Sequence, residues 1–175
     1  MSGSGLYVFG GNPSQDGGAQ GAGAEALLGS ASSVTSLTNV LADTTTGAAA
    51  VMLDTANILL VGGVTAKGTP APVRLYGVTR KGALTAGDAG GLTLPVTLSM
   101  AQSFTLAPTS APAGWSAMVI GTESSGVTSA YRVGRDGVAF VPFRVPRSHA
   151  QAIVLPNGSI GVVGGDATTM ESFIP

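Results

Sequence analysis

The hydrophobic positions of this chain fall into four short apolar runs, and each run ends in glycine. The runs cover residues 6–11, 58–63, 117–121 and 160–165. Successive runs begin roughly 50 residues apart, a spacing typical of chains built from repeated supersecondary units. We interpret the terminal glycines as structural, because a residue without Cβ lets crowded strands approach each other. These repeat glycines are Gly10, Gly11, Gly62, Gly63, Gly121, Gly164 and Gly165.

Two further elements accompany the apolar runs and complete a four-stranded unit. A short strand-like stretch that closes with leucine precedes three of the runs, at 48–53, 101–106 and 150–155. The pattern Tyr-x-Val-x-Arg-[Lys/Asp]-Gly follows two of them, at 76–82 and 131–137, and predicts a strand that turns into an outer strand. Pro156-Asn157-Gly158 predicts a hairpin turn, because Asn-Gly tolerates positive φ at both central positions. The first unit lacks its leading strand and the last its outer strand, so we expect about fourteen strands.

This unit resembles the kelch repeat, in which an apolar strand runs into Gly-Gly and an aromatic residue follows downstream. The closest match covers 147–175, and the resemblance extends over nearly the whole chain with degenerate copies. The usual kelch tryptophan is absent from its place, since the single tryptophan, Trp115, opens a strand. The resemblance implies an all-β fold of four-stranded antiparallel β-propeller blades, about three and a half per chain. We expect one partial propeller domain over 1–175, with a flexible linker at 1–5.

Three and a half blades would leave the ring incomplete in one chain, because closed propellers have four to eight blades. We expect a second copy of the chain, or another propeller-completing chain, to supply the rest, with two copies giving roughly seven blades. Two alternatives stay open. The chain is a fragment of a longer protein, or it forms a four-bladed ring with one thin blade.

Composition narrows the class of partner. Charged residues make up 10%, the net charge is −1, and there is no cysteine. A chain without a basic cluster has little electrostatic basis for binding nucleic acid, and we interpret Arg144 and Arg147 as a solvated loop. No apolar run reaches the length of a membrane helix, and the N-terminus has no signal-peptide pattern. The compartment stays open, although the composition is compatible with a bacterial exported or surface protein.

Candidate chemistry is sparse, and we predict no catalytic, cofactor-binding or metal-binding residues. His149 is the only histidine, and we interpret it as a hydrogen-bonded structural residue at the start of an inner strand. We expect Asp166 to cap a turn, with lining of the axial channel as the alternative. We name His149, Asp166 and Trp115 as candidate partner-facing residues, and expect loops at 12–24, 65–72 and 108–114 to crowd one face.

The sequence therefore favours a non-enzymatic interaction or scaffold module that binds partners through loops on one face. One alternative is part of a carbohydrate-binding or enzymatic propeller whose active residues lie on missing blades. Another is a structural component of a bacterial surface or filament.

Overall fold

The computed structural model describes residues 5–9, 24–28, 35–37, 45–54, 56–79, 82–106 and 114–174. Gly10, Gly11, residues 1–4 of the predicted linker and most of the predicted loops at 12–24 and 108–114 lie outside these residues. The described residues contain fourteen strands and no helix, so the expected all-β fold is confirmed.

The strands form four antiparallel sheets, each built from strands consecutive in the chain. Sheet I contains β1 (Gly5–Phe9), β2 (Ala24–Leu28) and β3 (Thr35–Leu37). Sheet II contains β4 (Thr45–Met52), β5 (Asn57–Thr65), β6 (Arg74–Val78) and β7 (Leu84–Gly87). Sheet III contains β8 (Ser99–Thr105), β9 (Ser116–Thr122), β10 (Thr128–Gly134) and β11 (Gly137–Val141). Sheet IV contains β12 (Gln151–Val154), β13 (Ile160–Val163) and β14 (Glu171–Phe173).

Sheets II and III are complete four-stranded units, whereas sheets I and IV each have three described strands. The glycine-terminated runs are the second strands of sheets II, III and IV, and β1 occupies the same place in sheet I. Sheet I therefore lacks a described inner strand, and sheet IV lacks a described outer strand, as the repeat pattern predicts. The number of strands, fourteen, equals that of three and a half four-stranded blades. The strands are distributed over four sheets.

Four turns of the described structure share the same three-residue form. In the β12–β13 hairpin, Leu155 N donates to Ser159 O at 2.8 Å and Gly158 N donates to Leu155 O at 2.8 Å. Gly158 has φ 82°, whereas Asn157 does not have a positive φ. The predicted hairpin is confirmed, and only Gly158 takes a positive φ because a three-residue loop needs only its last residue in the left-handed region. The same pair of backbone hydrogen bonds closes the turns that end at Gly68, Gly82 and Gly126.

The core lies between sheets that follow one another in the chain. The first cluster joins sheets I and II, and its buried residues are Ile58, Leu60 and Tyr76. The second joins sheets II and III, and its large buried members include Leu59, Val61, Leu98, Val119 and Tyr131. The third joins sheets III and IV, and it includes Met118, Ile120, Ile160 and Val162. Among the described residues no cluster joins sheet IV to sheet I, so the stack of sheets is open and the expected incomplete ring is confirmed.

Candidate functional site

The three candidate partner-facing residues do not form one site. Trp115 is half-buried and packs against the cluster between sheets II and III. It precedes β9, at the end of the strands opposite to His149 and Asp166. His149 and Asp166 are both exposed. No hydrogen bond joins any two of these three side chains within the described chain.

His149 and Asp166 differ from their predicted roles. The main-chain N of His149 donates to Gly126 O at 3.2 Å, and its ring covers Gly126. Its imidazole has no hydrogen-bond partner among the described residues, so it is not the hydrogen-bonded side chain that we expected. The Asp166 carboxylate likewise caps no turn in the described structure. Both side chains are available to solvent.

The described residues offer no cluster of three or more His, Cys, Asp or Glu side chains with the geometry of a metal site. They also include no helix with the length and hydrophobicity needed to cross a membrane.

The most buried charged group of the described chain is Arg147, which corrects the interpretation of this residue as part of a solvated loop. Its side chain is fully buried between the loop before β12 and the loop after β13. Nη1 donates to Gly164 O at 3.1 Å and Nη2 donates to Thr169 O at 2.6 Å. Nε lies 3.6 Å from Glu171 Oε1 without a hydrogen bond. A single guanidinium therefore holds two loops and the start of β14 together.

Glu171 completes this anchor. Its two carboxylate oxygens accept hydrogen bonds from the main-chain N–H groups of Arg144, at 2.8 Å, and Val145, at 3.0 Å. Desolvation raises the pKa of the Glu171 carboxyl, but these two donors and the Arg147 charge lower it by more. The net pKa lies below its ordinary value of 4.5. Arg144 differs from Arg147 because its side chain is exposed, as expected.

The lowered pKa of Glu171 predicts an acid-sensitive contribution to stability. A carboxyl whose pKa is lower in the folded state stabilises the fold at pH values above the unfolded pKa. This contribution is lost as the pH falls through the folded pKa. We expect Glu171→Gln to unfold at a lower denaturant concentration than wild type at pH 7, and the difference to shrink below pH 4.5.

Chemical denaturation followed by circular dichroism between pH 3 and pH 7 measures this difference. Asp166→Asn removes an exposed carboxylate and serves as the matched control, which we expect to keep the wild-type profile. If Glu171→Gln were less stable than wild type by the same amount at every pH, the ionised Glu171 carboxylate would not be the source of the stabilisation.

The outward face of sheet I carries exposed aliphatic side chains. Tyr7 and Phe9 point toward sheet II, so Leu6 and Val8 point away from it, and they are 62% and 50% exposed. In sheets II, III and IV, the residues at the same two distances before the repeat glycine lie on the face toward the preceding sheet. There the equivalent residues are no more than 4% exposed: Ile58, Leu60, Ala117, Val119, Ile160 and Val162.

The outward face of sheet IV shows the same contrast. Ile153 lies opposite Gly161 in β13 and is 46% exposed. Its equivalents are Val51, which packs against the cluster between sheets II and III, and Phe104, which packs against the cluster between sheets III and IV. Exposed Met170 lies over Gly161 on the same face. We call the outward surfaces of sheets I and IV the two end faces.

A glutamine joins the inner strands of sheets III and IV. Gln102 in β8 makes two hydrogen bonds with Ala152 in β12: Nε2 donates to Ala152 O at 3.0 Å, and Oε1 accepts from Ala152 N at 2.8 Å. Gln151 occupies the equivalent position one sheet later, since Gln102 pairs with Ile120 and Gln151 pairs with Val163, each one residue before a repeat glycine. Gln151 is exposed, and its amide has no hydrogen-bond partner within the described chain.

The end faces and the glutamine pair were not among the predicted site residues. One signal was present, because the stretches at 101–106 and 150–155 both begin with Ala-Gln. The exposure of Leu6, Val8 and Ile153 has no such signal, since the equivalent residues that pack against a neighbouring sheet are also apolar.

No protein-family model matches this chain, and no curated protein sequence matches it.

Proposed function

We propose that this chain is a non-enzymatic interaction module, a kelch-like partial propeller that is completed by a second copy and binds partners through loops on one face. The observation that carries the proposal is the pair of end faces. They expose aliphatic residues at positions whose equivalents pack against a neighbouring sheet inside the chain.

Physical arguments support an assembly role for the end faces. Each internal sheet buries apolar side chains on both of its faces, and burial stabilises by about 25 cal/mol per Å² of apolar surface. An end face that stays exposed to water does not contribute this stabilising free energy of burial. Contiguous exposed apolar surface on a globular protein commonly marks an interaction site.

The loops beside His149 and Asp166 are the part of the module that we assign to partner binding. Both side chains are exposed at the end of the sheets where β13 ends, with no side-chain partner in the described structure. A polar surface of this kind suits recognition by hydrogen bonds. The enzymatic or carbohydrate-binding propeller and the bacterial surface or filament component stay alternative predictions.

The native mass of the wild-type protein tests the proposal. We expect size-exclusion chromatography with light scattering to give a single species of about 34 kDa, twice the 17.1 kDa chain. Two copies would contain eight four- or three-stranded sheets rather than the roughly seven blades expected from the strand number. Closed propellers have four to eight blades. A stable monomer with cooperative unfolding would contradict the proposal. A ladder of larger masses would instead support the filament alternative, because head-to-tail contacts that do not close build filaments.

A further inference from the structure

We propose that two copies associate head to tail: the end face of sheet IV in one copy packs on the end face of sheet I in the other, and Gln151 bonds the edge of β1 that has no partner among the described strands. This inference rests on the proposed function and adds the orientation of the two copies and the residues that determine it.

The first argument is the polarity of the stack. We call the face of a sheet that is turned toward the previous sheet in the chain its preceding face, and the opposite face its following face. In every sheet–sheet contact inside the chain, the following face of one sheet packs on the preceding face of the next. The end face of sheet I is a preceding face, and that of sheet IV is a following face. One chain therefore carries both halves of a contact that it already makes three times.

The second argument is the match of side chains across the contact. Preceding faces present aliphatic residues in the second strand, such as Leu60 and Val162, and Leu6 and Val8 belong to the same class. Following faces present Val51 or Phe104 from the inner strand, and Ile153 stands at that position in sheet IV. A contact between the sheet IV end faces of two copies would instead place two Gln151 side chains near each other. Neither side chain would then meet a strand edge of the kind that Gln102 bonds.

The third argument is that the side-chain amide of Gln151 needs hydrogen-bond partners in the contact. A primary amide that becomes buried in an apolar contact needs hydrogen-bond partners. Gln102 meets this need with the backbone N–H and C=O of Ala152, in the innermost strand of the next sheet. β1 is the innermost described strand of sheet I and pairs with β2 along one edge. β1 corresponds to the second strand of the other sheets, and sheet I has no described equivalent of β12. No described strand pairs with the other edge of β1, so we assign the backbone groups of that edge to Gln151 of the second copy.

Complementation between two face variants tests the orientation. Val8→Asp blocks the end face of sheet I, and Ile153→Asp blocks the end face of sheet IV. We expect each variant alone to be a monomer of about 17 kDa. We expect an equimolar mixture to form a one-to-one heterodimer, because the intact sheet IV of the Val8→Asp chain meets the intact sheet I of the Ile153→Asp chain.

The outcomes separate this inference from the proposed function. A monomeric wild type overturns both. A dimeric wild type whose single variants are also dimeric overturns only the head-to-tail orientation, since like faces must then pair. A mixture that stays monomeric, while both variants keep the wild-type circular dichroism spectrum, also overturns it. If the aspartate variants do not fold, Val8→Thr and Ile153→Thr replace them, with an expected weakening of self-association of about tenfold each.

Gln151→Ala tests the polar contact separately. We expect it to raise the dissociation constant of the dimer by about tenfold, as the loss of a pair of hydrogen bonds predicts. Gln102→Ala is the matched control, because it removes the equivalent bonds within one chain and leaves the end faces unchanged. Equal dissociation constants for Gln151→Ala and wild type would overturn the role of Gln151.

Discussion

Replacing Arg147 with methionine is expected to destabilise the fold by about 3–5 kcal/mol, the range for removal of one partner from a buried ion pair. The side chain is fully buried, so methionine fills part of the volume but supplies no donor. Gly164 O and Thr169 O then lose their hydrogen bonds, and the Glu171 carboxylate loses its neighbouring charge. A loss of this size is a large fraction of the stability of a typical domain, which is about 5–15 kcal/mol.

Denaturant unfolding at fixed protein concentration measures the effect, since association would otherwise shift the midpoint. Arg132→Met is the matched control: Arg132 makes a 2.7 Å ion pair with Asp136, but both side chains are exposed. Exposed pairs contribute little, so we expect this variant to unfold close to wild type.

A second pair of variants separates charge from hydrogen bonding at the same site. Arg147→Lys keeps the charge but loses the planar fork, and we expect an intermediate loss of stability. The double variant Arg147→Met/Glu171→Gln removes the unpaired carboxylate, so we expect it to be less destabilised than the sum of the two single variants. An Arg147→Met protein that unfolds at the wild-type midpoint would show that the buried guanidinium does not hold the loops.

The strand order was predictable because it depends on local patterns. The apolar runs before the repeat glycines became β5, β9 and β13. Boundaries were less predictable, because they depend on pairing over distance. The stretch predicted at 48–53 is β4 (Thr45–Met52), which begins earlier because Thr45 pairs with Thr65 at the far end of β5.

The environment of individual side chains was the part that the sequence could not supply. Arg144 and Arg147 are three residues apart in one loop, yet one is exposed and the other fully buried. The difference comes from the carbonyl groups of Gly164 and Thr169, which the fold brings to Arg147 from the far side of β13. Similarly, Leu6 and Ile58 look alike in sequence, and only the presence of a preceding sheet distinguishes them.

Both loops that Arg147 joins also meet at Gly165. Gly164 and Gly165 have similar backbone conformations, with φ 77° and 71°, yet their surroundings differ. A Cβ on Gly165 would lie 2.6 Å from Ser148 O and 3.0 Å from Ser148 N, whereas a Cβ on Gly164 would meet nothing within 4 Å. Gly164 and Gly165 therefore separate two reasons for glycine at a repeat position. One is a backbone conformation with positive φ, and the other is the close approach of a second backbone segment.

We expect Gly164→Ala to cost about 1–2 kcal/mol, the strain of placing an L-residue in the left-handed region. Gly165→Ala should cost roughly 1–3 kcal/mol more, because the added methyl group must push apart the backbones of the two loops. The difference between the two unfolding free energies, measured under identical conditions, isolates the close approach. Equal losses for the two variants would mean that the loops separate freely at Gly165. The contact with Ser148 would then not be what requires glycine at that position, and the anchoring of these loops would depend on Arg147 alone.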